Sequence, residues 1–220
     1  MIFTLRDAAL QVLLIERGLE PFRGRWALPG GFVQIKEDLE DVALCELREG
    51  ETGLTQGYLD QIGAFAAPDR DPRELVVSIT YFAIIAADKM AVQARRDARR
   101  LRWCPWKLPS LPFDHRHILD AARRKLLEQM NRTTIALHFL SSEFTLTELQ
   151  GVFETVQGTP MDKRNLRKWA ESLSFIKPTG KTRRGGSIDR PRSTGRTTKP
   201  CSLRRQLRWC PQPTRNAPPM

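Results

Sequence analysis

The stretch Gly30–Leu54, with the sequence GGFVQIKEDLEDVALCELREGETGL, is the most informative part of this chain. It begins with a pair of glycines and carries the glutamates Glu46, Glu49 and Glu51 near its end. On a regular helix Glu46 and Glu49 lie about 60° apart, so their carboxylates share one face. Mg²⁺ takes oxygen ligands of this kind and usually shares them with phosphate and water. The stretch therefore predicts a site for a metal ion and a phosphate.

The same stretch resembles the Nudix box, the loop-helix-loop that holds Mg²⁺ and a diphosphate in the Nudix family. That motif runs Gly, five residues, Glu, seven residues, then Arg-Glu-apolar-x-Glu-Glu-x-Gly-apolar. The residues in register with it are Gly31, Glu37, Glu46, Leu47 and Glu49. Cys45 stands where the motif has its arginine, and Gly50 is an extra residue ahead of Glu51. The chain thus departs from the motif at two positions.

The extra glycine bears on whether a bound diphosphate is cleaved. On a regular helix Glu51 lies about 140° from Glu46, away from the metal-binding face. Either a π-bulge returns Glu51 to that face, or the helix ends at Glu49 and Gly50 begins the loop. Hydrolysis needs metal, water and base in register, and a displacement of roughly 1 Å costs about 10²-fold. Because Cys45 cannot replace a bidentate arginine either, we expect binding rather than cleavage.

Composition and charge separate the folded part from the end of the chain. The formal charge is +11, and residues 177–220 hold twelve basic side chains against one acid, Asp189. Arg, Pro, Thr and Ser dominate residues 187–220, which predicts a disordered basic tail. Such a tail either touches the DNA backbone non-specifically or has no selected role. Since neither a signal segment nor an apolar run of about 20 residues is visible, we expect a cytoplasmic protein with no membrane partner.

The spacing of apolar and turn residues predicts an α/β order of elements. The predicted strands are Phe3–Leu5, Leu10–Ile15, a short strand and loop at Trp26–Phe32, Tyr58–Phe65, Leu75–Ile85 and Arg102–Trp106. A Pro-rich hinge at Lys107–Pro112 precedes a helix at Asp114–Asn131. For His115 and His117 we expect structural or surface roles, because no partner is visible in the sequence.

A pair of helices is predicted further along the chain. Thr145 and Glu148 form a capping box that opens a helix ending near Gln157. Asp162 can cap a second helix, Lys163–Leu173, which is basic near its N-terminus. Two helices across a tight turn, the second of them basic, predict a helix-turn-helix with a recognition helix and a following wing. A plain helical hairpin with a solvated charged face is the alternative.

The recognition helix is predicted to contact DNA through its exposed face. The apolar positions Leu166, Trp169 and Leu173 form the stripe that would be buried. The residues predicted to contact DNA are Lys163, Arg164, Asn165, Arg167 and Lys168. The basic side chains suit phosphates or base edges, and Asn165 suits the edge of adenine.

Both halves together resemble the Nudix-related transcriptional regulators of NAD metabolism, the NrtR-type regulators. The resemblance runs from about Ile2 to Gly186, and its most specific segments are RWALPGGFV (Arg25–Val33), PDRDPRELVVS (Pro68–Ser78), LPFDHRHIL (Leu111–Leu119), EFTLTELQ (Glu143–Gln150), DKRNLRKW (Asp162–Trp169) and KPTGKTRRGG (Lys177–Gly186). It implies a Nudix-type α/β/α sandwich followed by a winged helix-turn-helix domain. The predicted boundaries are 1–107 for the Nudix-like domain, 108–132 for the linker and connecting helix, 133–186 for the winged helix and 187–220 for the tail.

The resemblance also implies a function: a homodimer that binds a double-stranded DNA operator and responds to ADP-ribose or a related NAD-derived nucleotide. The residues predicted to bind this effector are Gly31, Glu37, Arg70 and Arg73, although both arginines could equally be solvated loop charges. Mg²⁺ on Glu46 and Glu49 would be weak or absent. The alternative function is a Mg²⁺-dependent ADP-ribose pyrophosphatase with Glu46, Glu49 and Glu51 as its catalytic residues.

Overall fold

The computed structural model describes residues 1–47, 58–87 and 98–179, together with a strand at 196–198. The strands are β1 (Ile2–Arg6), β2 (Ala9–Arg17), β3 (Trp26–Ala27), β4 (Tyr58–Phe65), β5 (Ser78–Ile84), β6 (Ala98–Pro105), β7 (Glu143–Thr145), β8 (Lys177–Pro178) and β9 (Arg196–Thr198). The helices are α1 (Leu39–Cys45), α2 (His115–Arg132), α3 (Leu146–Gln157) and α4 (Lys163–Ser172), with a 3₁₀ helix at Ile135–Phe139. Within these ranges no helix combines the length and apolar character that a bilayer crossing requires.

The first six strands form one mixed sheet. β2 pairs antiparallel with β1, β3 and β6, while β5 runs parallel to β1 and antiparallel to β4. The β1–β2 hairpin turns at Asp7 and Ala8, whose φ angles of 52° and 54° give the mirror-image turn that suits the twist of a hairpin. β5 begins at Ser78, later than predicted, because Leu75 and Val77 lie exposed in the preceding loop.

The larger of two hydrophobic clusters among the described residues joins the sheet to the C-terminal helices. It contains Phe3 and Phe82 of the sheet, Leu119 and Leu126 of α2, and the winged-helix residues Phe153 and Leu166, all buried. α3 also contacts β2 directly. Because apolar burial is the main favourable term in folding, the sheet, the connecting helix and the winged helix stabilise one another.

The helix-turn-helix forms for the local reasons predicted. The Glu148 N–H donates to Thr145 Oγ1 (3.1 Å) and the Thr145 N–H donates to Glu148 Oε2 (2.6 Å), which completes the capping box. Gly158 ends α3 in the left-handed conformation, with a φ of 75°. The Asn165 N–H donates to Asp162 Oδ1 (2.8 Å) at the start of α4.

The wing differs from the sequence prediction in one respect. Disorder was predicted throughout 187–220, and this does not hold for Arg196–Thr198, which forms β9 and pairs with β7 and β8. The physical reason is that consecutive threonines favour extended backbone, and short strands offer unpaired edges for them to join. The remainder of 187–220 lies outside the described residues, so its predicted disorder stays a prediction.

Candidate functional site

A cavity of about 580 Å³ opens between the sheet, α1 and the beginning of α2. Its wall includes the loop residues 28–33, residues of α1, Glu46 and Leu47 just after α1, the segment 76–81, and the start of α2 at His115 and Ile118. Phe32 and Val77 line it although both are largely exposed. The volume and the mixed lining suit a small organic ligand.

The glycine loop approaches Glu46 closely. A Cβ added to Gly31 would lie 2.5 Å from Glu46 Oε1, so a larger residue would displace this carboxylate. The α-helical backbone changes to a π-type turn at Glu46 and Leu47. Gly50 lies outside the described residues, so the two backbone conformations predicted there stay predictions.

The remaining glutamates predicted for this site are Glu49 and Glu51, for metal binding and catalysis, and Glu37, for ligand binding. Glu49, Gly50 and Glu51 lie outside the described residues, so their convergence with Glu46 stays a prediction. Glu37 is exposed, and its Oε2 accepts a hydrogen bond from the Gln34 N–H (2.7 Å). Within the ranges described, no three His, Cys, Asp or Glu side chains form a group that could hold a metal ion.

Arg70 is not a solvated loop charge. Its side chain is 5% exposed and forms a bidentate ion pair with Asp114, with Nε to Oδ2 at 2.9 Å and Nη2 to Oδ1 at 2.8 Å. Its Nη1 also donates to Ser78 Oγ (2.7 Å). Arg70 thereby ties the loop that borders the cavity to the residue just before α2, because Asp114 is the N-cap position of that helix.

Arg73 faces the cavity with more freedom. It is 42% exposed, and its Nη2 lies 2.7 Å from Oδ2 of the buried Asp71. Hydrogen bonding by Arg73 lowers the pKa of Asp71 to about 2, so this carboxylate remains charged at neutral pH. The Arg73 guanidinium carbon lies 5.9 Å from the centre of the Phe32 ring. A cation near an exposed aromatic ring can contact both the charged and the planar parts of a nucleotide.

Arg17, at the end of β2, lines the same cavity and was not predicted. Its guanidinium lies 4.9 Å from the Phe113 ring centre, and Nε donates to the Pro21 carbonyl oxygen (2.9 Å). Burial lowers its pKa, with Arg73 adding to the effect. Among the described residues it forms no ion pair with an acid, so its charge is available to an anionic ligand. A single arginine at a strand end carries no sequence signal that could have revealed this.

His115 has the structural contact expected of it, since its Nδ1 accepts a hydrogen bond from the Leu28 N–H (3.1 Å). It also lines the cavity, which was missed. Burial lowers its pKa to about 4, opposed by Asp114 and assisted by Arg70 and Arg17. His115 is therefore neutral at pH 7. His117 is exposed, with its ring 5.9 Å from that of Phe65.

The burial of neutral His115 predicts a loss of stability in mild acid. Its pKa falls from 6.5 in the unfolded chain to about 4 in the folded one. The contribution is therefore complete above pH 6.5 and is lost as the pH falls towards 4, because only the unfolded chain gains the proton. Between pH 7 and pH 4.5 the loss should be about 2 to 3 kcal/mol in the free energy of unfolding, measured with urea.

Two substitutions separate this effect from the titration of other groups. His115→Gln should remove that pH-dependent component, whereas His117→Gln should retain it because His117 is exposed. Asp71, with its pKa of about 2, acts in a more acidic range. Identical pH profiles for the wild type and His115→Gln would contradict the assignment.

A second surface belongs to α4. Leu166 and Ala170 are buried, and Trp169 packs edge-on against Phe153 with ring centres 5.5 Å apart. The five predicted DNA contacts, Lys163, Arg164, Asn165, Arg167 and Lys168, are all exposed. Four cations on the exposed face of this helix form a surface complementary to a phosphate backbone.

The cavity, the connecting helix and this basic helix together define a class of proteins, the ligand-binding DNA-binding regulators. A family model of the NUDIX domain matches residues 1–120, and one of the NrtR DNA-binding winged helix domain matches residues 136–193. The chain belongs to the NrtR family, in which a Nudix domain precedes a DNA-binding winged helix. The predicted fold and family are confirmed.

Individual relatives agree with this assignment. The chain is 30% identical over 190 residues to the ADPR responsive transcriptional repressor NtrR of Acinetobacter baylyi, covering 84% of this chain and 75% of the relative. The crystal structure of Shewanella oneidensis NrtR complexed with a 27mer DNA is similar with a TM-score of 0.76 and 30% identity over 90% of both chains. The Nudix domain of that protein, in complex with ADP ribose, gives a TM-score of 0.51 and 32% identity over 57% of this chain and 83% of that domain.

An enzyme is also similar to half of the chain. The ADP-ribose pyrophosphatase of Methanocaldococcus jannaschii is 38% identical over 110 residues, which is 50% of this chain and 63% of the enzyme.

Proposed function

We propose that this protein is an ADP-ribose-responsive transcriptional repressor. Its Nudix domain binds the nucleotide, and α4 of its winged helix contacts operator DNA. The observation that carries the proposal is the path of α2, which begins at the cavity wall with His115 and packs against α3 at its other end. A ligand in the cavity therefore contacts the helix on which the DNA-binding half is built.

The cavity chemistry supports a nucleoside diphosphate as effector. Arg17 and Arg73 offer cations to the phosphates, and the exposed Phe32 offers a planar surface to a base. Similarity to a Nudix domain complexed with ADP ribose supports the same ligand class. The residues that would hold Mg²⁺ are Glu46 and Glu49, and the ion would neutralise phosphate charge.

The operator chemistry supports a homodimer. The recognition helix offers ten residues, enough to read only a few base pairs in one major groove. Two copies related by a twofold axis would read half-sites about one helical turn apart. We therefore expect an operator with inverted symmetry.

Reciprocal binding measurements test the proposal. DNA from upstream of the protein's own locus should bind with sequence preference, and saturating ADP-ribose should change its Kd at least about fivefold. By linkage, DNA should change the Kd of ADP-ribose by the same factor, measured by calorimetry. Adenosine alone is the control ligand, because it lacks the diphosphate. Absence of sequence preference would refute DNA recognition, and a Kd unchanged by ADP-ribose would refute the sensing function.

The similarity to an ADP-ribose pyrophosphatase makes hydrolysis the second candidate function. Incubation with ADP-ribose and Mg²⁺ should yield no more AMP than a Glu46→Gln variant yields. AMP released by the wild type and abolished by Glu46→Gln would assign turnover to this site and favour the enzyme.

A further inference from the structure

His115 stands at the junction between the cavity and α2. It is the first residue of that helix, directly after Asp114, which holds Arg70. It also lines the cavity together with Leu28, whose N–H it accepts. One side chain therefore borders the ligand space and belongs to the element that leads to the DNA-binding half.

The protonation state of His115 determines which ring nitrogen accepts a hydrogen bond and which one donates. Nδ1 is an acceptor because it receives the Leu28 N–H, so in the neutral ring the proton is on Nε2. In the described part of the chain Nε2 has no hydrogen-bond partner. One side-chain nitrogen there is both buried and without a hydrogen bond, and it belongs to Trp103, not to His115. Since Nε2 is not among such buried atoms, it reaches accessible space, and the cavity is the space this residue lines.

We propose that His115 is a ligand-contacting residue whose Nε2–H donates a hydrogen bond to an oxygen of the bound nucleotide, and that this contact couples cavity occupancy to DNA binding through α2. The proposal rests on the proposed function above and assigns a specificity residue within it. It requires an oxygen acceptor on the ligand at this position, which the phosphates and riboses of ADP-ribose can supply.

The far end of α2 explains how a contact at its first residue can act on the winged helix. Gln129 Nε2 donates to Asp60 Oδ2 (2.6 Å), and Lys125 Nζ lies 3.0 Å from the same oxygen. Tyr58, beside Asp60 on β4, donates to Gln129 Oε1 (3.0 Å) and lies with its ring centre 4.9 Å from that of His138. Through Gln129 and Tyr58, α2 is thus linked to His138 in the 3₁₀ helix that precedes the winged helix, and a change at the start of α2 can reach that half through these contacts.

Two substitutions separate the ligand contact from the structural contact. In His115→Asn, the side-chain oxygen occupies the place of Nδ1 and can still accept the Leu28 N–H, but no donor reaches the Nε2 position. In His115→Gln, the amide nitrogen reaches the Nε2 position and can donate, while the Leu28 N–H loses its acceptor. His117→Gln, two residues along the same helix and exposed, is the matched control.

The experiment measures ADP-ribose affinity by calorimetry, thermal stability, and the change in DNA Kd at saturating ADP-ribose, all with the full chain. We expect His115→Asn to keep its Tm but to bind ADP-ribose about tenfold more weakly, because one hydrogen bond to a polar or charged oxygen is lost. His115→Gln should melt earlier yet bind within about threefold of the wild type. The coupling between ligand and DNA should fall in His115→Asn and persist in His117→Gln.

The outcomes distinguish this proposal from the proposed function. If affinity follows Tm across the variants, or if His115→Asn binds ADP-ribose as the wild type does, the ligand contact is refuted while the sensing function stands. If His115→Asn loses affinity but keeps full coupling, the transmission through α2 is refuted. If the wild type itself does not bind ADP-ribose, both proposals fail.

Discussion

Arg70→Ala should lower the free energy of unfolding by about 3 to 5 kcal/mol at pH 7. Arg70 is 5% exposed and Asp114 is 18% exposed, so removal of the guanidinium leaves a partly buried carboxylate without its cation. The substitution also removes the hydrogen bond to Ser78. Urea denaturation measures the change, and ADP-ribose should bind more weakly because the loop bordering the cavity loses its attachment to α2.

The control for Arg70 is an ion pair on the surface. Arg6 is 56% exposed and its Nε lies 3.5 Å from Asp7 Oδ2, so Arg6→Ala should change stability by no more than about 1 kcal/mol. In the double variant Arg70→Ala/Asp114→Ala the loss should be smaller than the sum of the single losses, since no charge is left stranded. A cost for Arg70→Ala as small as that for Arg6→Ala would show that the buried pair has no structural importance.

Replacing the four basic residues of α4 should weaken DNA binding about 10³-fold at moderate salt. Their exposure on one helix places them for phosphate contacts, and the variant is Lys163→Gln/Arg164→Gln/Arg167→Gln/Lys168→Gln. Each lost phosphate contact should reduce the slope of log affinity against log salt by about 0.9. Because none of the four is buried, Tm should be unchanged, and fluorescence anisotropy over a range of salt concentrations measures the effect.

Two further variants separate the residues that contact phosphates from the residue that recognises a base. Arg124→Gln/Arg132→Gln, which removes exposed cations from α2, should leave the slope unchanged. Asn165→Ala should relax sequence preference at one position, by about 1 to 3 kcal/mol, with little change in slope. If the fourfold variant kept its slope, the phosphate contacts would lie elsewhere, and the basic tail would be the first segment to delete.

Features set by local chemistry were predicted well from the sequence. The capping box at Thr145 and Glu148, the stop at Gly158 and the cap at Asp162 all form, because each depends on residues within four positions of one another. Strand β4 was predicted with its observed bounds, Tyr58–Phe65. The exposure of the basic face of α4 also followed from helical periodicity, and its contact with DNA stays a prediction.

Features set by long-range contacts were not predicted. Arg17 reaches the cavity only because β2 ends beside Phe113, about a hundred positions away in the sequence. In the sequence Arg70 and Arg73 looked equally able to be solvated loop charges. In the structure Arg70 is buried in an ion pair with Asp114, whereas Arg73 is half-exposed. The structural contact of His115 is a hydrogen bond from the N–H of Leu28, which is distant in the sequence. Strand β9 likewise depends on pairing with β7 and β8. Sequence periodicity contains no information about these partners.

The shared interior has a consequence for how such a protein can be divided or recombined. A fragment ending at residue 107 would lack Leu119 and Leu126, whose side chains cover the inner surface of the sheet alongside Phe3 and Phe82. A chimera joined at the Pro-rich segment would therefore leave the apolar cores of both halves incomplete. A fusion of this Nudix domain to another DNA-binding domain would have to include α2 and the apolar face of α3, because both pack in the same core as the sheet.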